Sequence, residues 1–325
     1  MIEDNIKESL SIVIPVFNEE DNIFPLYESL MAVLKSLECK YEILFINDAS
    51  IDKTAQRLDE IAAQNELVKI IHFKRNFGQT AAMMAGINFS SNDIIIPMDG
   101  DLQNDPQDIP KLLAKLREGY DVCSGWRKDR KDNSIKRNLP SKMANFLISK
   151  ISGVPLHDYG CSLKAYKRDV IEDVKLYGEM HRFIPIYAVW QGAKVTEIPV
   201  THHARKHGQS KYGISRTFKV ILDLIVIKFL ERHAQKPIYI FGGFGFANFL
   251  LSFLCFLLMV YLKYWHDQSY IKTPLPFLVI LFVMVGILSI LLGLIAELLN
   301  RTYYESQDKP VYLIKKLRNI QNLKK

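Results

Sequence analysis

Short apolar runs alternate with longer amphipathic stretches along roughly the first hundred positions of the chain. The short runs are rich in Ile and Val and predict buried strands, whereas the longer stretches carry apolar residues three and four apart and predict helices. This β-α-β rhythm is typical of an α/β protein with a mostly parallel sheet and helices on both faces. The predicted strands are residues 10–17, 41–46, 68–73 and the run that ends before Asp99. Of the helices between them, the first extends to about residue 38, the second covers 53–65 and the third extends to about residue 88.

Further along, the pattern becomes less regular and then strongly apolar. Residues 120–124 and 195–200 are predicted strands, and residues 141–151 and 167–174 are predicted helices. Two later stretches, 238–262 and 275–296, are uncharged. At about 1.5 Å per residue each is longer than the roughly 30 Å hydrocarbon core of a bilayer, so they predict two transmembrane helices.

Residues 214–234 place apolar side chains on one helical face and charged side chains off it. A buried core helix would show the same face, but the neighbouring membrane segment favours an interfacial helix. The predicted organisation is an α/β domain over 1–213, amphipathic interfacial helices over 214–236, a transmembrane region over 237–300 with spans at about 238–262 and 275–299, and a basic tail over 301–325.

The charge of the chain and its distribution bear on its ligands and on its membrane orientation. The chain carries a net charge of +7, a balance that fits a membrane surface or phosphorylated ligands as well as nucleic acid. Basic residues precede the first span and follow the second, whereas the connecting loop carries only Lys263 and Lys272. The positive-inside rule therefore places both large parts of this multi-pass chain in the cytoplasm. The four cysteines lack metal-ligand spacing, as expected of reduced thiols.

Polar clusters follow the ends of the predicted strands. In parallel sheets ligands lie beyond the carboxyl ends of the strands, so several clusters on one rim indicate a nucleotide-sized site. The chain has no Gly-x-Gly-x-x-Gly after the first strand and no P-loop motif, which argues against dinucleotide and P-loop sites. The clusters are Asn18 with Glu19, Asp48, Arg75, and Asp99 with Asp101.

Asp99 and Asp101 flank Gly100 at the end of the fourth predicted strand, and Gln103 follows them. Two carboxylates and an amide oxygen form an oxygen-rich corner that suits Mg²⁺ or Mn²⁺. Such a site keeps waters and takes its remaining ligands from substrate phosphates. An isolated Asp-x-Asp is more often a simple turn, and the neighbouring rim clusters are what favour a metal here.

Two basic segments are candidates for binding anions. Residues 125–137 are either a solvated charged face or a basic loop that receives an anion over the site. The second segment holds Arg205 and Lys211 around a glycine, a composition that suits phosphate. A histidine metal site there is disfavoured, because adjacent His202 and His203 on an extended strand would face opposite sides.

Taken in order, six segments resemble the family 2 glycosyltransferases with a GT-A fold. Within that family the chain is similar to the polyprenyl-phosphate glycosyltransferases, which include dolichol-phosphate mannose synthases and bacterial bactoprenol glucosyltransferases. The resemblance covers about residues 10–300, and the two C-terminal spans match the bactoprenol branch. The segments are Ile14-Pro-Val-Phe-Asn-Glu19, Asn47-Asp-Ala-Ser-Ile-Asp52, Arg75-Asn-Phe-Gly78, Asp99-Gly-Asp-Leu-Gln103, Asp158-Tyr-Gly-Cys-Ser-Leu-Lys-Ala-Tyr166 and the stretch from Arg205 to Tyr212.

The resemblance implies a Rossmann-like GT-A catalytic domain and a role for each matched residue. Asp158 and Asp101 are the expected catalytic residues. Asp158 is expected to orient or polarise rather than to deprotonate, because a phosphate acceptor is already largely ionised at pH 7. The expected nucleotide contacts are Pro15, Val16, Glu19, Asp48, Arg75 and Asp99, and the expected metal ligands are Asp99, Asp101 and Gln103. Phosphates are expected to contact Arg205, Ser210 and Lys211, and the acceptor phosphate is expected to contact Arg127, Arg137 and Ser141.

The reaction implied by the resemblance is inverting transfer of glucose from UDP-glucose to undecaprenyl phosphate, with Mg²⁺ or Mn²⁺ as cofactor. The sequence of residues 159–164 also resembles that of transferases of aminoarabinose, so transfer of aminoarabinose or mannose to the same lipid is the alternative. The implied setting is the bacterial inner membrane with the active site facing the cytoplasm. The bilayer, a flippase that acts downstream and a second copy of the chain are further expected partners, and nucleic acid is not.

Three other functions compete with this interpretation. A processive polysaccharide synthase would carry Gln-x-x-Arg-Trp, which residues 190–194 do not supply. A non-catalytic membrane scaffold with a degenerate domain is disfavoured by the intact acidic and basic motifs. A nucleic-acid-binding role rests on charge alone, without RNP-like aromatic residues or zinc spacing.

Overall fold

The computed structural model describes residues 8–128, 145–146, 148–150, 152–172, 174, 180–204, 238–266, 269–306 and 312–320. The chain divides into two compact units, one formed by Met1–Leu224 with Pro310–Lys325 and the other by Ile225–Lys309. The second unit is therefore inserted, in sequence, between two segments of the first. The predicted interfacial helices at 214–236 lie outside the described residues.

The first unit is built on one eight-stranded sheet. In chain order its strands are β1 (Leu10–Val16), β2 (Tyr41–Asn47), β3 (Val68–Phe73), β4 (Ile94–Pro97), β5 (Val122–Trp126), β6 (Lys164–Lys167), β7 (Val195–Pro199) and β8 (Ile314–Arg318). Their spatial order is β7-β5-β6-β4-β1-β2-β3-β8. Four consecutive strands, β4, β1, β2 and β3, are parallel, as expected of apolar β-branched runs that are buried on both faces. The mostly parallel sheet that the sequence predicts is confirmed.

Helices cover both faces of this sheet. In chain order they are α1 (Ile23–Ser36), α2 (Thr54–Gln64), α3 (Gln79–Phe89), α4 (Ile109–Arg117), α5 (Arg168–Ile171) and α6 (Ile184–Trp190). Ile12 and Phe45 point into a core shared with α1, α2 and α4. Val13 lies on the other face, where a Cβ added at Gly86 of α3 would come within 2.2 Å of its Cγ1. Helix α3 therefore approaches the sheet more closely than any side chain at position 86 would allow.

The structure departs from the predicted elements around β6. Residues 157–164, predicted as a loop, end in strand β6, which runs antiparallel between β4 and β5. The helix predicted over 167–174 is the shorter α5. Helices α4 and α6 have no counterpart among the predicted elements. Strand β6 has only four residues and a lysine at each end, so its conformation is set by its two neighbouring strands rather than by its own composition.

The basic tail also contains a strand that the sequence pattern does not predict. Strand β8 pairs antiparallel with β3, with Ile70 opposite Arg318 and Phe73 opposite Ile314. Ile314 and Leu317 are half-buried, whereas Lys315, Lys316 and Arg318 are exposed at the edge of the sheet. A charged strand in this position protects the β3 edge from pairing with another chain.

The described part of the second unit contains two long α-helices, α7 (Ile238–His266) and α8 (Leu275–Ser306). Both are long and apolar enough to cross a membrane, with mean hydropathies of 2.1 over Phe241–His266 and 3.1 over Leu275–Ala296. They pack closely where glycines face each other. A Cβ at Gly245 would lie 2.9 Å from the carbonyl oxygen of Gly286, whereas Gly242 has open space around it. Small residues at a crossing point are what membrane helices use to approach one another.

Candidate active site

The carboxyl ends of β1, β2, β3 and β4 lie side by side, because these four strands are parallel neighbours. The four polar clusters predicted from sequence are therefore brought to one edge of the sheet. The turns after β1 and β2 are joined directly. The Asn18 amide donates to Ser50 Oγ at 2.9 Å, the Ile51 amide donates to Asn18 Oδ1 at 2.9 Å, and the Glu19 amide donates to Thr54 Oγ1 at 2.9 Å. These hydrogen bonds hold the two turns together at the edge of the sheet.

Three residues on this rim have left-handed backbone conformations: Asn18 (φ 53°), Ala49 (φ 58°) and Leu102 (φ 59°). Asparagine tolerates this region, but alanine and leucine are strained there. Strained residues persist where the surrounding structure imposes them, and they cluster at functional sites. The strain at this edge of the sheet thus marks it independently of the polar residues.

Asp48, at the end of β2, is 4% exposed and binds the loop that follows β3. Its Oδ1 accepts from the amide of Phe77 at 2.7 Å and its Oδ2 accepts from that of Gly78 at 2.8 Å. Burial raises the pKa of Asp48, and the two amide hydrogen bonds oppose that rise. The guanidinium of exposed Arg75 lies 4.2 Å from the centre of the Phe77 ring. Asp48 therefore fixes the loop that presents Arg75.

The acidic loop after β4 packs against the end of β1. A Cβ at Gly100 would come within 2.7 Å of Val16 Cγ1 and 3.4 Å of the carbonyl oxygen of Pro15. Asp99 Oδ1 accepts from Gln79 Nε2 at 2.8 Å, so the first turn of α3 holds the first carboxylate.

The second carboxylate, that of Asp101, is 8% exposed, and its Oδ1 accepts from the amide of Gln103 at 3.2 Å. Among the described residues no group of three or more His, Cys, Asp or Glu side chains could hold a metal ion by itself. Two carboxylates on one loop fit Mg²⁺ or Mn²⁺ all the same, because such an ion takes several of its ligands from water and substrate phosphates.

Arg127 and Asp158 form a buried ion pair at the ends of β5 and the loop before β6. Nε of Arg127 donates to Oδ2 at 2.7 Å and Nη2 donates to Oδ1 at 3.0 Å, and the two side chains are 12% and 9% exposed. Burial alone would lower the pKa of Arg127, but the charge of Asp158 and its hydrogen bonds together outweigh burial, and the pKa is raised. Gly160 lies against the pair, with a Cβ there 3.1 Å from Nη2 of Arg127. This paired geometry fixes both side chains.

Lys164 lies next to this ion pair and is missing from the predicted site. It is 3% exposed, and its Nζ donates to the carbonyl oxygen of Tyr159 at 3.2 Å. Burial lowers the pKa of Lys164 to about 8. Lys164 lies within the Asp158–Tyr166 segment that carries the family resemblance, but a lysine between apolar Leu163 and Ala165 is too common a pattern to single it out.

The segment after β7 runs along the acidic loop. The His203 amide donates to the carbonyl oxygen of Gln103 at 2.9 Å, and His203 Nε2 lies 2.9 Å from Asp105 Oδ2. The Thr201 amide donates to Oδ2 of buried Asp108 at 2.6 Å. The chain therefore reaches position 204 beside the predicted metal loop. Five predicted site residues lie outside the described part of the chain: Arg137, Ser141, Arg205, Ser210 and Lys211.

A contact that the sequence does not reveal joins α3 to the 3₁₀ turn Met180–Phe183. Thr80 Oγ1 and His181 Nδ1 lie 2.7 Å apart, and both side chains are buried. Thr80 follows Gln79, which holds Asp99, so this turn supports the helix end that touches the acidic loop. The two residues are 101 positions apart, and no local pattern predicts their contact.

Comparison with known proteins gives consistent results for sequence and fold. The model described as Glycosyl transferase family 2 matches residues 11–175. The chain is 42% identical over 312 residues to dodecaprenyl-phosphate galacturonate synthase of Rhizobium johnstonii, covering 95% of this chain and 92% of that protein. It is 37% identical over 312 residues to undecaprenyl-phosphate 4-deoxy-4-formamido-L-arabinose transferase of Klebsiella pneumoniae subsp. pneumoniae, covering 95% and 94%.

Solved structures share the fold at low sequence identity. Glucosyl-3-phosphoglycerate synthase of Mycobacterium tuberculosis, in complex with Mn²⁺, uridine diphosphate and phosphoglyceric acid, superposes with a TM-score of 0.54 at 15% identity, over 69% of this chain and 78% of that one. Mannosyl-3-phosphoglycerate synthase of Rubrobacter xylanophilus gives a TM-score of 0.52 at 14% identity, over 68% and 74%. These likenesses show that the first unit has the Rossmann-like GT-A fold.

Proposed function

Since this chain belongs to glycosyl transferase family 2, we propose that it transfers a sugar from a nucleotide donor to the phosphate of a membrane polyprenyl phosphate. The observation that carries this proposal is the similarity of nearly the whole chain, including both apolar helices, to two relatives named for sugars on such lipids. The geometry of the rim supports it, because the acidic loop after β4 and the loop carrying Arg75 after β3 lie on the same edge of the sheet.

The donor diphosphate is expected to bind at the acidic loop. Asp99, Asp101 and Gln103 would hold Mg²⁺ or Mn²⁺, which when bound neutralises negative charge on the departing diphosphate. Pro15, Val16 and Glu19 would contact the nucleoside, because they lie at the end of β1 against this loop. Asp48 contributes by fixing the loop that carries Arg75, rather than by an exposed carboxylate.

The acceptor phosphate is expected to bind on the side of Arg127. A phosphate with a second pKa near 6 is mostly ionised at pH 7, so the attacking oxygen needs no strong base. The carboxylate of Asp158 already accepts hydrogen bonds from Nε and Nη2 of Arg127. Its proposed role is therefore to orient Arg127 toward the acceptor phosphate, whose oxygen attacks the anomeric carbon opposite the leaving diphosphate and inverts that centre.

The resemblance supplies further parts of the proposal. Arg137 and Ser141 would complete the acceptor site, and Arg205, Ser210 and Lys211 would bind phosphates across the cleft. The segment that leads to Arg205 runs beside Gln103, which favours this second assignment. The domain boundaries at 213, 236 and 300, a second copy of the chain and a downstream flippase remain predictions.

The relatives bear on which sugar is transferred. The expectation of glucose has no support of its own in the relatives, whose names carry galacturonate and 4-deoxy-4-formamido-L-arabinose. The alternative expectation, another sugar on the same lipid, agrees better with them. We therefore place donors of these two sugars ahead of UDP-glucose. The two apolar helices and the basic flanks favour the bacterial inner membrane with the first unit in the cytoplasm.

A transfer assay tests the proposal. Membranes containing the protein are mixed with undecaprenyl phosphate and one of three radiolabelled donors: UDP-galacturonate, UDP-4-deoxy-4-formamido-L-arabinose or UDP-glucose. We expect one labelled lipid of single-sugar size, loss of the product in EDTA and recovery with Mn²⁺. Asp101→Asn membranes are the matched negative control. Long polymeric products would favour a processive synthase, and a wild type that binds no UDP with Mn²⁺ would favour a scaffold.

A further inference from the structure

Tyr312, the first described residue after α8, is buried in the first unit although it belongs to the basic tail. It is 4% exposed, and its ring stacks on that of Phe73 with centroids 5.2 Å apart and planes at 12°. Its hydroxyl accepts from Asn88 Nδ2 at 3.1 Å. A buried tyrosine with a stacked ring and a satisfied hydroxyl is a specific anchor, not a chance contact of a charged tail.

The main chain and the far end of the strand hold this anchor in place. The Lys74 amide donates to the carbonyl oxygen of Leu313 at 2.9 Å. At the other end, Asn319 Nδ2 donates to the carbonyl oxygens of Ala62 at 2.7 Å and Val68 at 2.9 Å. Strand β8 is thus fixed along its whole length.

Aromatic contacts lead from Tyr312 to the nucleotide end of the site. Phe73 meets Phe77 edge to face, with centroids 5.7 Å apart and planes at 87°. Phe77 carries the guanidinium of Arg75 over its ring, and its amide binds Asp48. Tyr312, Phe73 and Phe77 therefore form an aromatic ladder that connects the tail to the loop at residues 74–78.

Tyr312 also touches the helix that follows this loop. Asn88, its hydrogen-bond partner, lies near the end of α3, and Gln79 at the start of α3 donates to Asp99. The tail thus contacts both the loop that presents Arg75 and the helix that holds the first carboxylate. Every step in this chain of contacts lies within the first unit.

From these contacts we infer that Tyr312 is a positioning residue for donor binding, and that β8 serves the active site as well as protecting the sheet edge. The inference rests on the proposed function, since the rim is taken as the donor site. Because the loop at 74–78 is exposed at Arg75 and has a left-handed glycine at Gly78 (φ 90°), it needs packing from behind to stay ordered. Without the ladder, donor binding must itself order the loop, which lowers affinity.

The kinetic test compares three variants of the full chain: Tyr312→Ala, Tyr312→Phe and, as matched control, Leu313→Ala. The Leu313 side chain is 55% exposed, and its main-chain bond to Lys74 survives the change. We expect Tyr312→Ala to raise the donor KM and the Kd for UDP with Mn²⁺ by about three- to tenfold, with the acceptor KM unchanged. Tyr312→Phe keeps the ladder, and water can replace the hydroxyl at exposed Asn88, so it and Leu313→Ala should stay within about twofold of wild type.

Hydrogen exchange supplies a readout that does not depend on the donor. The amides of Phe77 and Gly78 should exchange faster in Tyr312→Ala than in wild type or Leu313→Ala, whereas the strand core at 43–46 should be unaffected. An unchanged donor KM in folded Tyr312→Ala, or an equal loss of donor and acceptor affinity, overturns the inference. If Tyr312→Ala does not fold, Tyr312→Leu is judged by the same criteria. A wild type that neither binds UDP nor transfers sugar would instead overturn the proposed function, and exchange at residues 77 and 78 would still decide the link to Tyr312.

Discussion

Arg127 and Asp158 are joined by two parallel hydrogen bonds, Nε to Oδ2 at 2.7 Å and Nη2 to Oδ1 at 3.0 Å. The sequence predicts both residues as parts of the site but gives them separate roles. In the structure neither acts alone, because each fixes the orientation of the other. A carboxylate held by a guanidinium in this way is a poor general base, since taking up a proton would break the pair.

Asp158→Asn should reduce kcat by less than about 10²-fold. The amide keeps one oxygen that can accept from Arg127, so most of the orientation survives, whereas loss of a true general base costs up to about 10⁴-fold. The measurement is kcat for lipid glycosylation, with Tm recorded on the same preparation. Arg127→Lys is the companion variant. It keeps the positive charge but cannot form the two parallel hydrogen bonds of a guanidinium, so we expect a raised acceptor KM. A fall in kcat beyond about 10⁴-fold in Asp158→Asn would restore the general-base role.

Gly245→Ala should weaken the packing of α7 on α8. Its new methyl group would lie 2.8 Å from Ile290 Cγ1 and 2.9 Å from the carbonyl oxygen of Gly286, so the helices must separate. We expect a cost of about 1–3 kcal/mol, seen as a lower Tm in detergent. Gly242→Ala is the matched control, because nothing lies within 4 Å of its added Cβ. Equal Tm values for the two variants would contradict this packing.

Glu42→Gln should destabilise the protein at neutral pH. Glu42 is 3% exposed and accepts from Lys69, Ser11 and Ser91 at the amino-terminal edge of the sheet. Burial alone would raise its pKa, but these hydrogen bonds outweigh burial and the pKa is lowered. A lowered folded-state pKa adds stability above the unfolded pKa of about 4.3, and that stability is lost as the pH falls through the folded-state pKa.

The Tm of Glu42→Gln should therefore lie about 3–8 °C below wild type at pH 7, and the gap should narrow below pH of about 4. Thermal unfolding in detergent across this range is the measurement. Glu66→Gln, at an exposed position, is the control and should match wild type throughout. A gap that stays constant down to pH of about 3 would show that the loss comes from packing rather than from the charge.

Asn47→Asp should make stability depend on the charge of His72. Burial lowers the pKa of His72, so the neutral ring accepts from Asn47 Nδ2 at its Nδ1, 3.0 Å away. An aspartate there requires a proton on that nitrogen, which raises the folded-state pKa. The resulting stabilisation is present below the unfolded pKa of about 6.5 and is lost as the pH rises through the raised value.

The Tm difference between Asn47→Asp and wild type should accordingly become less favourable from pH of about 6 to pH of about 9. Adding His72→Gln to Asn47→Asp should abolish the slope while leaving the backbone turn in place. A parallel pair of Tm curves for Asn47→Asp and wild type would contradict the assigned pairing of Asn47 with His72.

The parts of the fold that could be predicted from sequence are those in which a segment's own residues decide its structure. Strands β1 to β4 are largely apolar, and each of the two long helices contains a long uncharged run, 238–262 and 275–296, so their patterns are strong. Strands β6 and β8 are short and charged, and they become strands only because β4, β5 and β3 offer unpaired edges. The composition of a segment does not show whether a neighbouring strand will have an unpaired edge to which it can hydrogen-bond.

The candidate site divides in the same way. The acidic loop and the rim clusters could be located, because each follows a recognisable strand and the rules for parallel sheets bring strand ends together. The pairing of Arg127 with Asp158 spans 31 positions and depends on β6 lying beside β5, so it could not be predicted. The role of Tyr312 could not be predicted for a related reason, because no periodic pattern distinguishes it from the other tyrosines of the basic tail, Tyr303 and Tyr304.

The insertion of α7 and α8 between two segments of the first unit has a consequence for biosynthesis. The ribosome makes β1 to β7 first and both apolar helices next, and only then β8. Throughout that interval the β3 edge is open, and an open edge beside apolar strands invites association with other nascent chains. Completion of the sheet therefore has to follow synthesis of the two apolar helices.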